Sequence, residues 1–179
     1  AQYPLKKVRE AELRFLRGHS YFDLKIHYKR VPYIDENVAV EDILKVSNVE
    51  LTDQELWTKI ADEFRFGVDN LPETQSQVGR ANKYTAMAYL AKTLLYQAYE
   101  QNDQNMVTRV DAAKLEEVVS LVTQIQNSGT YGLQSDFAEN FLYEFENGKE
   151  SVFAIQRSIN DGSPDGRGTW ASALNYPQS

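Results

Sequence analysis

The chain has 179 residues, of which 42% are hydrophobic and 25% are charged, and its formal net charge is -7. These values predict one ordinary globular domain, and the acidic balance argues against a nucleic-acid-binding protein, which needs a basic face. The absence of cysteine excludes disulfides, thiolate catalysis and cysteine-ligated zinc, and no apolar run approaches the roughly 20 residues that span a bilayer.

The first predicted helix runs from Leu5 to about Tyr28. Its apolar residues recur in steps of three and four, as expected for one face of a helix. This face comprises Leu5, Val8, Phe15, Phe22 and Ile26 and is interrupted by Glu12 and His19. Ala11 and Gly18 lie beside it, so we expect a second helix to approach closely. Pro32 ends this helix near Lys29, because a proline disfavours helical backbone in the residue before it.

The second predicted helix begins at Thr52, which forms a capping-box pattern with Glu55, and ends before Pro72. The residues between the first two helices, 35 to 50, predict an exposed connector with room for one helical turn. The inward face of the second helix is expected to hold Trp57, Ala61, Phe64, Val68 and Leu71.

A third predicted helix opens at Gly79 and continues to about Tyr99. The helix carries small and large apolar side chains on all its sides, which predicts that it is buried between two neighbouring helices. Residues 101 to 110 predict a polar loop. Asp111 then caps a fourth helix with an apolar face and a stop at Gly129. That face consists of Leu115, Val118, Val122 and Ile125.

The pattern becomes irregular after Gly132. A short helix is expected to start at Ser135 or Asp136, a short strand is expected over residues 150 to 157, and a turn-rich loop follows from Ser158. The fold prediction is therefore mainly α, with tetratricopeptide-like stacked helix pairs, a short strand and irregular loops toward the C-terminal end. We expect residues 1–132 to form the helical core and residues 133–179 the irregular, ligand-side region.

The sequence contains none of the standard catalytic or nucleotide-binding motifs. His19 and His27 are eight residues apart rather than four, so we expect both to be structural rather than metal ligands. The glycine-flanked Asp161 and Asp165 predict a turn, because the other oxygen ligands of a calcium loop are missing. We therefore predict no cofactor, no metal and no catalysis.

A ligand site is predicted in the C-terminal loop. Trp170 follows a glycine-rich stretch where no periodic core requires it, and an indole stacks well on a sugar ring. Arg167, Tyr176 and Asp161 are predicted as further ligand contacts, because they are polar or aromatic residues of the same loop. The competing interpretation is that Trp170 only anchors the loop.

Four segments in order resemble the SusD/RagB family. The first, residues 11 to 34, matches the family's pattern at Ala11, Arg14, Phe15, Leu16, Arg17, Tyr21, Phe22, Leu24, Val31 and Pro32, although Gly18 replaces the usual alanine and the glycine before Val-Pro is missing. The next two are "DNLPE" at residues 69 to 73 and "GRANKYTAMAYLAKTLLYQA" at residues 79 to 98. The last is "SGTYGLQSDFAENF" followed by "ESVFAIQ", so the resemblance covers about residues 11 to 157.

The resemblance implies a non-catalytic surface lipoprotein of the Bacteroidetes outer membrane. Such a protein captures glycan, for example starch, or another nutrient and passes it to a SusC-like TonB-dependent transporter. Family members are longer, so the chain is expected to be a fragment, with its lipid anchor outside it. The family has no invariant ligand motif that could be carried over to this sequence. Two alternatives stay open at this point, a tetratricopeptide-type scaffold that binds proteins and a glycoside hydrolase.

Overall fold

The computed structural model describes residues 3–156. The α-helices are α1 (Lys6–Tyr28), α2 (Asp53–Asn70), α3 (Lys83–Ala98) and α4 (Ala112–Asn127), and the strands are β1 (Tyr99–Gln101) and β2 (Val107–Val110). Short 3-10 helices cover Val40–Lys45, Phe137–Phe141 and Tyr143–Phe145. Each α-helix packs on the next in chain order. This confirms the predicted mainly α fold of stacked helices, and no helix within residues 3–156 is long and apolar enough to cross a bilayer.

Side-chain caps define where three of the helices begin. At α2 the capping box is complete, since Glu55 N donates to Thr52 Oγ1 at 3.2 Å and Thr52 N donates to Glu55 Oε2 at 2.8 Å. At α4 the carboxylate of Asp111 accepts backbone amides of the first turn, as predicted. The third helix begins at Lys83 rather than Gly79, because Asn82 provides the cap. Both the capping box and the Asp111 cap were recognisable from sequence.

The buried face of α1 differs from the predicted one. It consists of Ala11, Phe15, Gly18, Phe22 and Lys25, whereas Leu5 and Ile26 are exposed at the two ends of the helix. The small residues predicted to permit close packing therefore lie at the centre of the α1–α2 interface. A Cβ atom added to Gly18 would lie 2.9 Å from Cβ of Glu63 on α2.

The core is centred on α3, which packs against both α2 and α4, as its sequence predicted. On α2, Trp57, Ala61, Phe64 and Leu71 are buried as expected. On α4 the buried residues are Leu121 and Ile125. Val122 is exposed, so the predicted face of α4 was wrong by one position there.

Residues 101 to 110, predicted as a polar loop, form part of a β-hairpin. Tyr99 pairs with Val110 and Glu100 with Arg109 in an antiparallel ladder. The strands are short and mostly exposed, so they lack the apolar alternation from which a strand is recognised.

The strand predicted over residues 150 to 157 does not occur in its described part, residues 150 to 156, which have irregular backbone. Phe153 faces the helices instead of a partner strand, whereas Ile155 is 64% exposed. The ring of Phe153 packs 5.0 Å from that of Phe15, and Thr85 Oγ1 donates to Val152 O at 3.0 Å. The aromatic residue of this segment therefore packs against α1 and α3.

Candidate functional site

The four predicted ligand residues, Asp161, Arg167, Trp170 and Tyr176, lie outside the described residues, as does Asp165. Their assignment stays a prediction. The described residues end at Gln156, which lines a surface cleft. The clefts formed by residues 130–156 are thus adjacent in sequence to the predicted ligand loop.

The aromatic cleft, as we call it, has a volume of about 520 Å³ and is lined by residues 140–143, 145–148, 151 and 154–156. The rings of Phe141 and Tyr143 are 75% and 81% exposed, and Phe137, which is 75% exposed, packs edge-on against Phe141 at 5.3 Å. Exposed flat rings are the surfaces on which the apolar faces of sugar rings stack. The 3-10 turns Phe137–Phe141 and Tyr143–Phe145 hold these rings outside the helical core.

Amide side chains provide the hydrogen-bonding groups of this cleft. Asn147 and Gln156 donate to each other, with N to O distances of 3.2 and 2.8 Å. Asn147 adopts a left-handed backbone conformation, with φ of 58°, at the turn that bends the chain back. Amides both donate and accept hydrogen bonds, which suits the hydroxyl groups of a glycan.

The polar cleft, of about 420 Å³, adjoins the aromatic cleft and shares Asn147, Gly148, Ser151 and Ala154 with it. Its other wall is the turn before α3. Gly79 has φ of 85°, and an added Cβ atom would lie 2.6 Å from Cγ of Gln156, so only glycine fits there. Asn82 Nδ2 donates to the hydroxyl of Tyr131 at 2.9 Å. The α3 cap therefore also positions the cleft wall.

Charged groups are arranged unequally around the polar cleft. Arg80 donates to both carboxylate oxygens of Glu12, at 2.9 and 2.8 Å, and Arg9 donates to the same carboxylate at 2.7 Å. Lys149 is exposed and forms no ion pair with the described residues. The backbone amide of Gln134 donates to Glu150, which lowers the pKa of that carboxyl group. The cleft thus presents the ammonium of Lys149, which has no ion-pair partner among the described residues, beside neutral amides.

Neither histidine lines these two clefts. His19 packs 5.2 Å from the ring of Tyr89, and Nδ1 of His27 lies 2.7 Å from the carbonyl oxygen of Asp23. Within residues 3–156 no group of three or more metal-ligating side chains is close enough to hold an ion.

Sequence analysis missed the aromatic cleft because residues 135–145 were interpreted as one short helix. The available signal was the spacing of Phe137, Phe141, Tyr143 and Phe145. Two of these steps are of two residues, which a single buried helix face does not produce.

No protein-family model matches the sequence, and no curated protein matches it. Solved structures do match. A SusD-like protein from Bacteroides fragilis superposes with a TM-score of 0.66 at 21% identity, over 84% of this chain and 27% of its own. A SusD-like carbohydrate-binding protein from the same organism gives 0.61 at 22% identity, over 78% of this chain and 25% of its own. The chain has a SusD-like fold.

This result confirms the resemblance that the four sequence segments indicated. A further structure, described as a complex with xylogluco-oligosaccharide, superposes with a TM-score of 0.63 at 25% identity, over 82% of this chain. The chain spans only about a quarter of the lengths of these three structures, between 25% and 28%.

Proposed function

We propose that this chain is part of a non-catalytic surface protein that binds a glycan or a similar nutrient. The observation that carries the proposal is the aromatic cleft, where the exposed rings of Phe141 and Tyr143 lie beside the paired amides of Asn147 and Gln156. Flat rings next to amide groups match the apolar faces and hydroxyl edges of sugar rings. The similar structure that is described as a complex with xylogluco-oligosaccharide supports the same ligand class.

We further propose that the predicted loop completes the site, with Trp170, Arg167, Tyr176 and Asp161 as contacts. The support is chain continuity, because Gln156 lines the aromatic cleft and the loop follows it directly. A shallow site made by loops favours a sugar ligand over a peptide, for which a tetratricopeptide scaffold would offer a long groove between helices.

By analogy with the family that it resembles, the protein would be an outer-membrane lipoprotein that delivers its ligand to a SusC-like TonB-dependent transporter. Fractionation of cells that produce the full-length protein, followed by affinity purification from the outer membrane, tests this part. We expect the protein in the outer-membrane fraction and a TonB-dependent transporter in the affinity-purified sample. Absence of the protein from the membrane fraction, or of the transporter from the purified sample, would contradict the proposal.

The binding site is tested by calorimetry with a panel of xyloglucan and starch oligosaccharides. Stacking of one ring contributes about 1 kcal/mol, so we expect Tyr143→Ala and Trp170→Ala each to weaken the best ligand about fivefold or more. Tyr3→Ala is the matched control, because Tyr3 is exposed and lines neither cleft. Unchanged affinity in both site variants would refute the site, and turnover of any glycan by the pure protein would refute a binding-only role.

A further inference from the structure

A third cleft, which we name the hairpin cleft, lies at the other end of the helical core. It has a volume of about 220 Å³ and is formed by the C-terminal ends of α1 and α3, the start of α2 and the β-hairpin. The polar cleft adjoins the N-terminal end of α3, and the 16 residues of α3 span about 24 Å. The hairpin cleft is therefore separate from the proposed glycan site.

Aromatic rings form one wall of the hairpin cleft. Trp57 is buried, and its ring centroid lies 5.7 Å from that of Tyr96. Tyr96 and Tyr99 are 45% and 41% exposed, and their hydroxyl groups form no hydrogen bond with the described residues. Two half-exposed rings with available hydroxyl groups are thus presented at the cleft. This combination of ring face and hydroxyl suits a small, ring-shaped, hydroxylated ligand.

The charges in the hairpin cleft do not cancel. Lys25 is buried, and its ammonium donates to Asp53 Oδ1 at 2.6 Å and to Lys29 O at 3.2 Å, while it also lies 4.7 Å from the centroid of the Trp57 ring. The ammonium of Lys29 donates only to neutral oxygens, Asn102 O at 2.8 Å and Asn105 Oδ1 at 2.9 Å. Two cations and one carboxylate leave one positive charge, although the whole chain carries -7.

Two ion pairs on the elements around the cleft involve other charged groups. Arg30 donates to Asp103 at 2.8 Å, and Arg109 donates to Glu100 at 2.8 Å. Neither carboxylate therefore neutralises Lys29. An anionic group of a ligand would supply the missing partner.

The backbone at Lys29 is strained. Its φ is 58° and its ψ is -52°, and Arg30 N donates to Tyr28 O at 2.6 Å, which closes a γ-turn of the rare type with positive φ. The bonds from Lys29 N to Lys25 O, at 2.8 Å, and from the Lys25 ammonium to Lys29 O hold it in place. Strain that the surroundings maintain in this way is concentrated at ligand sites.

From these observations we infer that the hairpin cleft binds a single sugar ring that carries a carboxylate, of the uronic acid type. The rings of Tyr96 and Tyr99 contact the sugar ring, the ammonium of Lys29 binds its carboxylate, and Asp53 and Gln101 bind its hydroxyl groups. The volume limits the site to about one ring, since clefts for larger ligands exceed about 300 Å³. This inference does not rest on the proposed glycan site.

Titration of the protein with glucuronate, glucose and acetate, followed by NMR, tests the inference. Because a charge-assisted hydrogen bond is about twice as strong as a neutral one, we expect glucuronate to bind about tenfold more tightly than glucose, and acetate to bind at least tenfold more weakly than glucuronate. Lys29→Gln keeps a donor for the hairpin oxygens but removes the charge, and it should reduce glucuronate affinity to that of glucose. Lys149→Gln, at the polar cleft, is the matched control and should have no effect.

A second variant, Gln101→Ala, alters only an exposed side chain of β1 and should weaken both sugars about threefold, which keeps the test decisive if Lys29→Gln does not fold. Equal affinities for glucose and glucuronate, or equal losses in Lys29→Gln and Lys149→Gln, would overturn the inference. The titrations with glucuronate test the hairpin cleft, and the oligosaccharide panel with Tyr143→Ala tests the aromatic cleft. A negative result for one cleft therefore does not affect the proposal for the other.

Discussion

At the scale of single residues, the most consequential feature is the carboxylate of Glu63. It is 2% exposed and accepts hydrogen bonds from Arg14 Nε at 3.2 Å, Arg17 Nη2 at 2.8 Å and the hydroxyl of Tyr33 at 2.8 Å. The group joins α1, α2 and the segment that follows α1. Arg14 and Arg17 were recognised only as part of a family pattern, because their shared partner lies 46 to 49 residues away.

The substitution Glu63→Gln should destabilise the protein by about 3 kcal/mol. The amide removes the counter-charge of Arg14 and one of the two carboxylates that bind Arg17, the other being Glu36, and breaking such a buried pair is costly. Urea unfolding measures the change. Glu117→Gln is the control, because its pair with Arg65 is far more exposed and should be worth less than about 1 kcal/mol. Equal losses in the two variants would contradict this account of Glu63.

Tyr33 should make stability sensitive to alkaline pH. Burial, and then the hydrogen bond to Glu63, raise the pKa of Tyr33 above its ordinary value of 10.0. Because the pKa of Tyr33 is higher in the folded state than in the unfolded state, the protonated hydroxyl contributes its full stabilisation below pH 10. This contribution to the free energy of unfolding is lost as the pH rises further, since the unfolded state then releases the proton first. Burial raises the pKa of Tyr89 in the same direction.

We therefore expect the free energy of unfolding to fall above pH 10, and to fall less steeply in Tyr33→Phe than in the parent. Unfolding curves between pH 7 and pH 11 measure this slope. Parallel curves for the two proteins would show that the Tyr33 hydroxyl does not cause the loss.

At the scale of secondary structure, the helices could be predicted from local sequence signals. The strands could not, because they form by pairing between residues that are distant in the chain. Thr52 and Asp111 were identified as caps because capping depends on residues within one helical turn. The hairpin was missed because the pairing of Tyr99 with Val110 depends on backbone atoms 11 residues apart rather than on side-chain alternation. The irregular residues 150 to 156 were mistaken for a strand because packing on a helix core also selects Val and Phe.

The contact between α1 and α2 should depend on Gly18. An added Cβ atom would lie 2.9 Å from Cβ of Glu63 and 3.1 Å from the ring of Phe64, so the helices would have to separate. Overpacking costs about 1 to 3 kcal/mol, and the better helix propensity of alanine offsets about 1 kcal/mol of that. We expect Gly18→Ala to be destabilising by about 1 kcal/mol in thermal or urea unfolding.

Gly132→Ala is the matched control for Gly18→Ala. No atom lies within 4 Å of its added Cβ, and its backbone does not require a positive φ. Its stability should therefore stay close to that of the parent. A Gly18→Ala protein as stable as Gly132→Ala would show that the interface can adjust.

At the scale of the whole molecule, the irregular residues 133–156 are joined to the helical core by a few contacts. The ring of Phe153 packs on Phe15 at 5.0 Å and on Tyr89 at 6.0 Å, and Val152 accepts a hydrogen bond from Thr85. These contacts place the aromatic and polar clefts at one end of α3. The division at residue 132 into a helical core and a ligand-side region stays a prediction.

Phe153→Ala should affect stability and ligand binding together. Loss of a partly buried ring costs about 2 kcal/mol, and it releases the segment that forms walls of both clefts. We expect lower thermal stability and weaker binding of the best oligosaccharide in calorimetry. Phe137→Ala, which removes an exposed ring, should leave stability unchanged. Full glycan affinity in Phe153→Ala would indicate that the clefts do not contribute.

The sequence alone determined the four helices, the caps at Thr52 and Asp111, the close approach at Gly18 and the resemblance to a SusD-like fold. The helices and caps follow from periodicity and capping chemistry within a few residues of each other, and the resemblance follows from four motifs in order along the chain. Only the tertiary structure revealed the Glu63 network, the hairpin and the aromatic cleft. It also revealed the unbalanced charge at Lys29, because each of these features joins groups that are distant in the chain or depends on which side chains the helical stack leaves exposed.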